Sequence, residues 1–393
     1  MAAAMRLCVP VFTFNTGDFN GAGTKHFVET IAGNLYAIYV NSINIDLEYS
    51  KSTDGGKSWA VPISLHAGTV ISVAVTYDRW SNISAGLIHC AYTDNGVDDI
   101  LYRNIDSENS DNLSAETTVF AGSTAISGGA LSITRARGGN LVVAGSIDAG
   151  SEDGAWESTD AGATWGSTIA DPSEGATQDQ YLLLPGWNAD PQDVMLIFWD
   201  ASADELSVKR YDNSADSWAE ASIATGMVDL VATSGFPNFA AAVDLANSQN
   251  VVVAWTNTDT ANADLRCWKI TDTTITEVTN VVLDGTDDQG LCAIMIDTVS
   301  GVWWVAYGGK SDGSETWGTL VGIYGKASAD AGSTWGAETN LAEALGTVFL
   351  RSLFGCPRCS TTPKLLIGEI NGQNLYAAVE GITPHASYQI GLV

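Results

Sequence analysis

An eight-residue pattern recurs three times in this chain and constrains its fold more than any other feature. The pattern is Ser-x-Asp-x-Gly-x-(Ser/Thr)-Trp, and it occupies residues 52–59, 158–165 and 328–335. A worn copy at residues 211–218 keeps the hydroxyl and the tryptophan but lacks the aspartate and the glycine. Copies at separate positions indicate an internal repeat, and a repeat decides the architecture before any single motif does.

The residue types of this octapeptide are those of a tight turn. Aspartate accepts hydrogen bonds from backbone N–H groups two or three residues further on, and glycine permits positive φ. The tryptophan can fold back as an apolar plug between neighbouring sheets. We therefore expect a structural role for the following residues: Ser52, Asp54, Gly56, Trp59, Ser158, Asp160, Gly162, Trp165, Trp218, Ser328, Asp330, Gly332 and Trp335.

The octapeptide resembles the Asp-box, or BNR repeat, of the sialidase-like β-propeller superfamily. In that superfamily the box lies at the turn between the third and fourth strands of a blade and is structural. The resemblance implies that the chain is all-β and folds as a single β-propeller of four-stranded antiparallel blades. Such a closed ring leaves only short, protected sheet edges.

Two series of sequence positions give the expected number of blades. The turn register runs through Asp54, Asp106, Asp160, Asn213, Asp272, Asp330 and Glu380, in steps of 50 to 59 residues. Second-strand segments give seven further positions: 33–39, 86–92, 139–144, 194–199, 250–255, 301–307 and 364–368. We expect a seven-bladed propeller over residues 22–393, with an N-terminal strand in residues 1–21 that closes the ring. Six blades are the alternative, if the seventh set is an appendage.

The charge of the chain excludes several classes of partner. Lys and Arg number 17 against 46 Asp and Glu, which gives a formal net charge of −29. Nucleic acid and anionic membrane surfaces are bound through clustered Lys and Arg, so neither is expected as a partner. The chain contains no run of 18 apolar residues, so membrane insertion is not expected. The N-terminal segment makes a poor signal peptide, because Pro10 interrupts its short apolar run.

Acidic residues recur in the segments expected to join second and third strands. Those turns share one face of a propeller with the links between blades, and relatives generally bind ligands there. The candidate ligand-binding residues are Asp94, Asp98, Asp148, Asp153, Asp200, Asp204, Asp259 and Asp312. An acidic rim of this kind could bind Ca²⁺ or dock a basic or polyhydroxylated partner. The alternative is ordinary turn chemistry and solubility. No segment has the spacing of a dedicated calcium loop, and we expect no other metal or cofactor.

The resemblance raises the possibility of sialidase activity, and the arginines argue against it. Sialidases use three arginines on the substrate carboxylate, a Tyr–Glu nucleophile pair and an acidic proton donor. Only nine arginines occur here, and most are predicted on outer strands or on turns of the propeller face that carries the octapeptides. Arg351 is the only one expected on an innermost strand with its side chain towards the channel. The chain is therefore identified as a non-sialidase member, and enzymatic activity is left open, with a glycosidase as the class to test.

The leading functional hypothesis is a non-catalytic recognition or structural propeller on a virion or another extracellular surface. A bacteriophage tail, fibre or capsid-decorating protein would fit a surface protein without a signal peptide. Its partners would be other virion or surface proteins, or a glycan. The alternative is a glycoside hydrolase or lyase acting on a polysaccharide, which needs only two carboxylates roughly 5–10 Å apart. A third option is an intracellular assembly factor.

One close pair of cysteines, Cys356-Pro-Arg-Cys359, remains outside these arguments. It is half of a zinc site at most, and no second pair completes it. A redox pair, a local disulfide and two thiols in a turn are the other interpretations, and the last is preferred.

Overall fold

The fold is seen in a computed structural model of the chain. The structure describes residues 7–13, 26–41, 44–77, 86–122, 131–148, 152–170, 180–200, 203, 205–227, 239–259, 262–272, 274–283, 291–309, 322–342, 350–356, 358–359, 363–369 and 374–379. Within these ranges every helix or strand element is a β-strand. The same residues contain no helix long and apolar enough to cross a membrane.

The strands of the first half of the chain begin with β1 (Leu7–Thr13), which pairs with the other end of the chain. Blade 1 contains β2 (Phe27–Glu29), β3 (Leu35–Val40), β4 (Leu47–Ser52) and β5 (Ile63–His66). Blade 2 contains β6 (Val70–Tyr77), β7 (Leu87–Asp94), β8 (Asp99–Asp106), β9 (Asn112–Leu113) and β10 (Thr117–Ala121). Blade 3 contains β11 (Leu131–Arg135), β12 (Leu141–Asp148), β13 (Glu152–Ser158) and β14 (Ser167–Ile169).

The second half of the chain continues the pattern. Blade 4 contains β15 (Gln180–Pro185), β16 (Val194–Asp200), β17 (Glu205–Asp212) and β18 (Ser217–Thr225). Blade 5 contains β19 (Phe239–Asp244), β20 (Gln249–Asp259), β21 (Asn262–Thr271) and β22 (Thr274–Glu277). Blade 6 contains β23 (Cys292–Asp297), β24 (Trp303–Gly308), β25 (Ile323–Ser328) and β26 (Thr339–Ala342). The last strands are β27 (Leu350–Gly355), β28 (Arg358–Cys359), β29 (Leu365–Glu369) and β30 (Asn374–Val379).

The four main strands of each blade pair antiparallel in sequence order, and the first strand is innermost. Blade 2 carries the short β9 beside β8, and blade 6 carries β28, which pairs in parallel with β23. The predicted all-β propeller of four-stranded antiparallel blades is confirmed. Six sheets form from successive strands, as in the six-bladed alternative. The seventh set, around residues 364–368, completes its four strands only by taking β1, in the order β1-β30-β29-β27. We call this seventh sheet the composite sheet.

Burial falls from the second strand outwards. Every residue of β3 is buried, as is every residue of β23, whereas most residues of the fourth strand β18 are exposed. Neighbouring blades cover both faces of the inner strands, and this accounts for the continuous apolar runs that mark those strands in the sequence. The first strands of successive sheets contact one another from β2 round to β27.

A buried ion pair joins blade 1 to the composite sheet. The Lys364 ammonium lies 2.7 Å from Oε1 of Glu29 in β2. Glu29 is only 2% exposed. A buried carboxylate needs a cationic partner, so this contact ties together two parts of the ring that are far apart in the sequence.

Candidate functional site

The octapeptides form the turns between third and fourth strands: β4 to β5, β13 to β14 and β25 to β26. In every intact copy the serine hydroxyl donates to the aspartate at 2.8 Å and accepts from the glycine N–H at 2.8 Å. The second aspartate oxygen accepts from the hydroxyl at position seven, at 2.6–2.7 Å. All three intact copies therefore share one hydrogen-bonded turn geometry.

These hydrogen bonds hold the turn aspartates in their charged form. Burial of Asp54 opposes ionisation, but donors from Ser58, Ser52 and Lys57 lower the pKa of its carboxyl to about 2. Hydrogen bonds from Thr164 lower the pKa of Asp160, and hydrogen bonds from Thr334 lower that of Asp330. An acceptor that is fully used within its own turn has a structural role.

Three of the four octapeptide tryptophans contact the preceding blade. The Trp165 ring lies 5.2 Å from the ring of Tyr102 in blade 2. The Trp335 Nε1 donates to the Thr279 carbonyl after β22 at 2.7 Å. In the worn copy, the Trp218 Nε1 donates to the Ala170 carbonyl at 2.7 Å. Trp59 lies 6.4 Å from Phe27, within blade 1. This face of the ring holds blades together, so ligand binding is sought on the opposite face.

The opposite face carries the turns between second and third strands. These turns contain fewer residues than the sequence predicted. Five of the eight candidate acids lie at strand ends and not in loops: Asp94 in β7, Asp148 in β12, Asp153 in β13, Asp200 in β16 and Asp259 in β20. The reason is that the hairpins stay paired almost to their tips, with partners such as Asp94↔Asp99 and Asp200↔Glu205. Asp204, Asp312 and the side chains of Asp148, Asp153 and Asp259 lie outside the described residues.

The three candidate acids with described side chains differ in their environment. Asp94 is only 5% exposed, whereas Asp98 and Asp200 are partly exposed. Asp98 is in the β7–β8 turn with a φ of 60°. The Asp200 Oδ1 accepts from the Ala203 N–H at 3.0 Å. Asp94 therefore points into the protein, while Asp98 and Asp200 remain at the surface of this face.

The inward-pointing Asp94 belongs to a polar cluster between blades 1 and 2. His66, the last residue of β5, lies with Nε2 2.8 Å from Asp94 Oδ2 and with Nδ1 2.7 Å from Glu116 Oε2. The Tyr92 hydroxyl donates to the same Glu116 oxygen at 2.6 Å. The Asp94 Oδ1 accepts from two backbone N–H groups, of Gly96 at 2.7 Å and of Thr69 at 3.1 Å. One imidazole is thus held between two carboxylates.

Both carboxylates of this cluster are stabilised as anions. Burial favours their neutral forms, but hydrogen bonds from His66 and the Gly96 N–H lower the pKa of Asp94. Likewise, against the effect of burial, Tyr92 and His66 lower the pKa of Glu116. A general acid for glycoside cleavage needs a raised pKa, so this pair has the opposite character. Nor do the described residues contain a group of three or more His, Cys, Asp or Glu that could hold a metal ion.

His66, Tyr92 and Glu116 were not among the predicted site residues. His66 and Tyr92 are in strands of two different blades, and Glu116 is in the segment between β9 and β10, so no local spacing brings the three together. His66 and Glu116 are 50 residues apart, close to one repeat unit. That interval was the only available signal, because equivalent positions of adjacent blades are neighbours in a propeller.

The described arginine side chains are all bound by other groups of the protein. Arg103, Arg135 and Arg137 donate to backbone carbonyls. Arg210 pairs with Asp272 at 2.7 Å, and Arg266 pairs with Glu277 at 2.6 Å. Three of the five are on third strands. Arg135 is the last residue of β11, an innermost strand, and Arg137 follows that strand. The side chains of Arg6, Arg79, Arg351 and Arg358 lie outside the described residues.

Other residues singled out by the sequence are packed internally. His89 is fully buried, with Nδ1 2.6 Å from the Tyr102 hydroxyl, and burial lowers its pKa to about 3. Trp187 packs against the Arg137 guanidinium and donates to Asn250 at 3.1 Å. Cys356 is buried directly after β27, and Cys359 is in β28. His385, Trp80 and Trp317 lie outside the described residues.

Comparison with known proteins finds similarity to solved structures alone. No family model matches the chain, and no curated protein matches it. An arginine-to-alanine mutant of AofleA from Arthrobotrys oligospora is 10% identical with a TM-score of 0.50, and the match covers 91% of this chain and 90% of that one. The intramolecular trans-sialidase from Ruminococcus gnavus is 12% identical with a TM-score of 0.49, covering 94% and 97%.

A mutant of the Aleuria aurantia lectin AAL, in complex with Fucalpha1-6GlcNAc, is 12% identical with a TM-score of 0.45. That match covers 77% of this chain and 94% of the lectin. At such identities the likeness to AofleA shows the propeller fold alone, and function has to be argued from the residues of this chain.

Proposed function

We propose that this chain is a non-catalytic recognition propeller of the Asp-box class, displayed on a virion or another extracellular surface. It binds a glycan or a protein partner through the face that carries Asp98 and Asp200. The observation that supports the non-sialidase assignment best is the state of the arginines. Five of nine are bound to the protein's own carbonyls and carboxylates, so a three-arginine site would need three of the remaining four.

Charge indicates the class of ligand. A net charge of −29 repels an anionic substrate such as a sialoside and favours a neutral polyhydroxylated or basic partner. Partly exposed carboxylates such as those of Asp98 and Asp200 accept hydrogen bonds from sugar hydroxyls or from cationic side chains. The one described carboxylate pair that shares a histidine has lowered pKa values, which speaks against general acid catalysis.

A glycan array combined with product analysis tests the proposal. We expect the purified chain to bind neutral glycans and to release no product from them or from a fluorogenic sialoside. A variant with Asp98→Asn and Asp200→Asn should bind several-fold more weakly. Glu108→Gln, an exposed change on the octapeptide face, is the matched control and should bind normally.

Two results would contradict the proposal. Turnover of a polysaccharide with retained binding would favour the glycoside hydrolase alternative, and sialoside cleavage would contradict the arginine argument. The surface assignment is tested separately, by probing purified phage particles and culture supernatants with an antibody against the chain. Detection only inside cells would exclude it.

A further inference from the structure

We infer that His66 is a protonated clasp between blades 1 and 2, which opens when the imidazole loses its proton. The inference stands on the geometry of the His66 cluster and does not depend on the proposed function. His66 belongs to blade 1, and both of its carboxylate partners belong to blade 2.

The hydrogen-bond count assigns the proton. A neutral imidazole has one N–H and one lone pair, whereas an imidazolium donates from both nitrogens. Here both ring nitrogens face carboxylate oxygens, at 2.7 Å and 2.8 Å. Neither carboxylate acts as the donor, because Asp94 already accepts from two backbone N–H groups and Glu116 from Tyr92. The charged form of His66 is the one that satisfies all of these contacts.

The surrounding charges favour the same form. From blade 2, His66 is faced by the Asp94 and Glu116 carboxylates and by the Tyr92 ring at 5.1 Å. The Arg103 guanidinium donates to the Leu65 carbonyl next to His66 and is the one cation of the cluster. From blade 1, Asp46 accepts from the Gly68 N–H at 3.1 Å. The two carboxylates in direct contact outweigh the single arginine, which is bound to a backbone carbonyl.

Gly68 covers the clasp. A Cβ on Gly68 would overlap both Asp94 Oδ2 and His66 Nε2, so a larger residue would displace these side-chain ends. The His66 side chain is 12% exposed and that of Asp94 is 7% exposed. The Gly68 backbone thus shields the His66–Asp94 pair from water, which strengthens this pair relative to an exposed surface pair, whereas the Glu116 side chain is 34% exposed.

Loss of the proton would loosen two segments together. A neutral His66 would direct a lone pair at a carboxylate oxygen less than 3 Å away. The same Asp94 carboxylate holds the Thr69 N–H of the link between blades, and the Thr69 carbonyl accepts from the Asn95 N–H in the β7–β8 turn at 2.9 Å. Both segments lie on the face that carries Asp98.

The direction of the pH effect follows from the groups involved. Because the pKa values of Asp94 and Glu116 are lowered on folding, their contribution to stability is complete above the usual carboxyl range and is lost as pH falls through the folded values. The His66 contacts run the other way, because both of them require the bound proton and are lost when base removes it. The clasp is therefore closed while His66 is charged and open once His66 is neutral.

Nitrogen-15 NMR of the intact chain tests the protonation state directly. At about pH 6 we expect imidazolium signals from both His66 nitrogens, and the loss of these signals during titration with base marks the open form. His66→Gln assigns these signals, and His385→Gln is the matched control. Burial lowers the pKa of His26 to about 4 and that of His89 to about 3, so both stay neutral in this range. A neutral His66 at pH 6 would overturn the inference.

Hydrogen exchange tests the mechanical consequence. After correction for intrinsic rates, protection of the Thr69, Asn95 and Gly96 amides in the unmodified chain should fall about tenfold once the imidazolium signals are lost. In His66→Gln the protection should be low throughout the same titration. Unchanged protection in the unmodified chain, or the same fall in His66→Gln, would show that these segments do not depend on the proton.

Discussion

The junction between blades 2 and 3 and the junction between blades 1 and 2 use the same turn position with different chemistry. In blade 3 the turn after the third strand is an intact octapeptide, and its Trp165 and Gly162 pack on Tyr102 of blade 2. In blade 2 the octapeptide is absent, and Asp111 of the equivalent turn contacts blade 1. It accepts from the Tyr36 hydroxyl at 2.6 Å and pairs with Lys51 at 2.9 Å.

The same contrast recurs further round the ring. Blade 6 has the octapeptide, and Gly332 and Trp335 contact Val278 and Thr279 of blade 5. Blade 5 lacks it, and Asp272 pairs instead with Arg210 of blade 4 at 2.7 Å. The octapeptide is therefore one of two solutions for the same junction. One solution relies on close packing and neutral hydrogen bonds, and the other on a charged pair that salt can screen.

The largest expected effect concerns Gly162→Ala. Its φ is +88° and a Cβ would overlap the Tyr102 ring, so strain and overlap together should lower the free energy of unfolding by about 3 kcal/mol or more. Gly55→Ala is the matched control, because Gly55 has a φ of +75° but no atom within 4 Å. It should cost about 1 kcal/mol. Equal losses in urea unfolding would show that the junction is not closely packed.

A smaller loss is expected for Ser158→Ala. The hydroxyl of this buried serine joins Asp160 to the Gly162 N–H, and its removal leaves a buried donor without a partner. We expect a cost of about 2 kcal/mol in the free energy of unfolding. Ser328→Ala should cost the same, because its contacts have the same lengths. Clearly different values for the two serines would mean that the copies are not equivalent.

Asp111→Asn tests the charged solution. Asparagine tolerates the φ of 58° at this position but removes the ion pair with Lys51. We expect a loss of about 1 kcal/mol at low ionic strength, and a smaller one in high salt. Ser158→Ala should show no such salt dependence. A salt-independent loss at Asp111 would mean that the Tyr36 hydrogen bond dominates this junction.

The smallest expected effect is a gain. Ala161 is the fourth residue of its octapeptide, the position that Gly55 occupies in the first copy, and its φ is 59°. Ala161→Gly should relieve this strain and raise the free energy of unfolding by about 0.5–1 kcal/mol. Ala331→Gly, with a φ of 53°, should behave alike. A loss at both positions would show that the entropy of the unfolded chain outweighs the strain.

Periodic features of this propeller could be predicted, whereas contacts specific to one junction could not. The octapeptide turns were predictable because their side chains bond within eight residues, and the second strands because both of their faces are buried. The inward orientation of Asp94 was not predictable from its residue type. It follows from how far β7 stays paired with β8 and from His66 on the next blade. The Glu29–Lys364 pair depends on ring closure, which no local pattern records.

The composite sheet has a consequence for the order of events during synthesis. β1 is the outer strand of this sheet, and its partner β30 begins at Asn374. On the ribosome, the segment that emerges early thus waits as an unpaired edge until almost all of the other described strands have been made. Blades 1 to 6 can form one after another in the meantime, whereas the final seam is a late, long-range event with a high loop-closure cost.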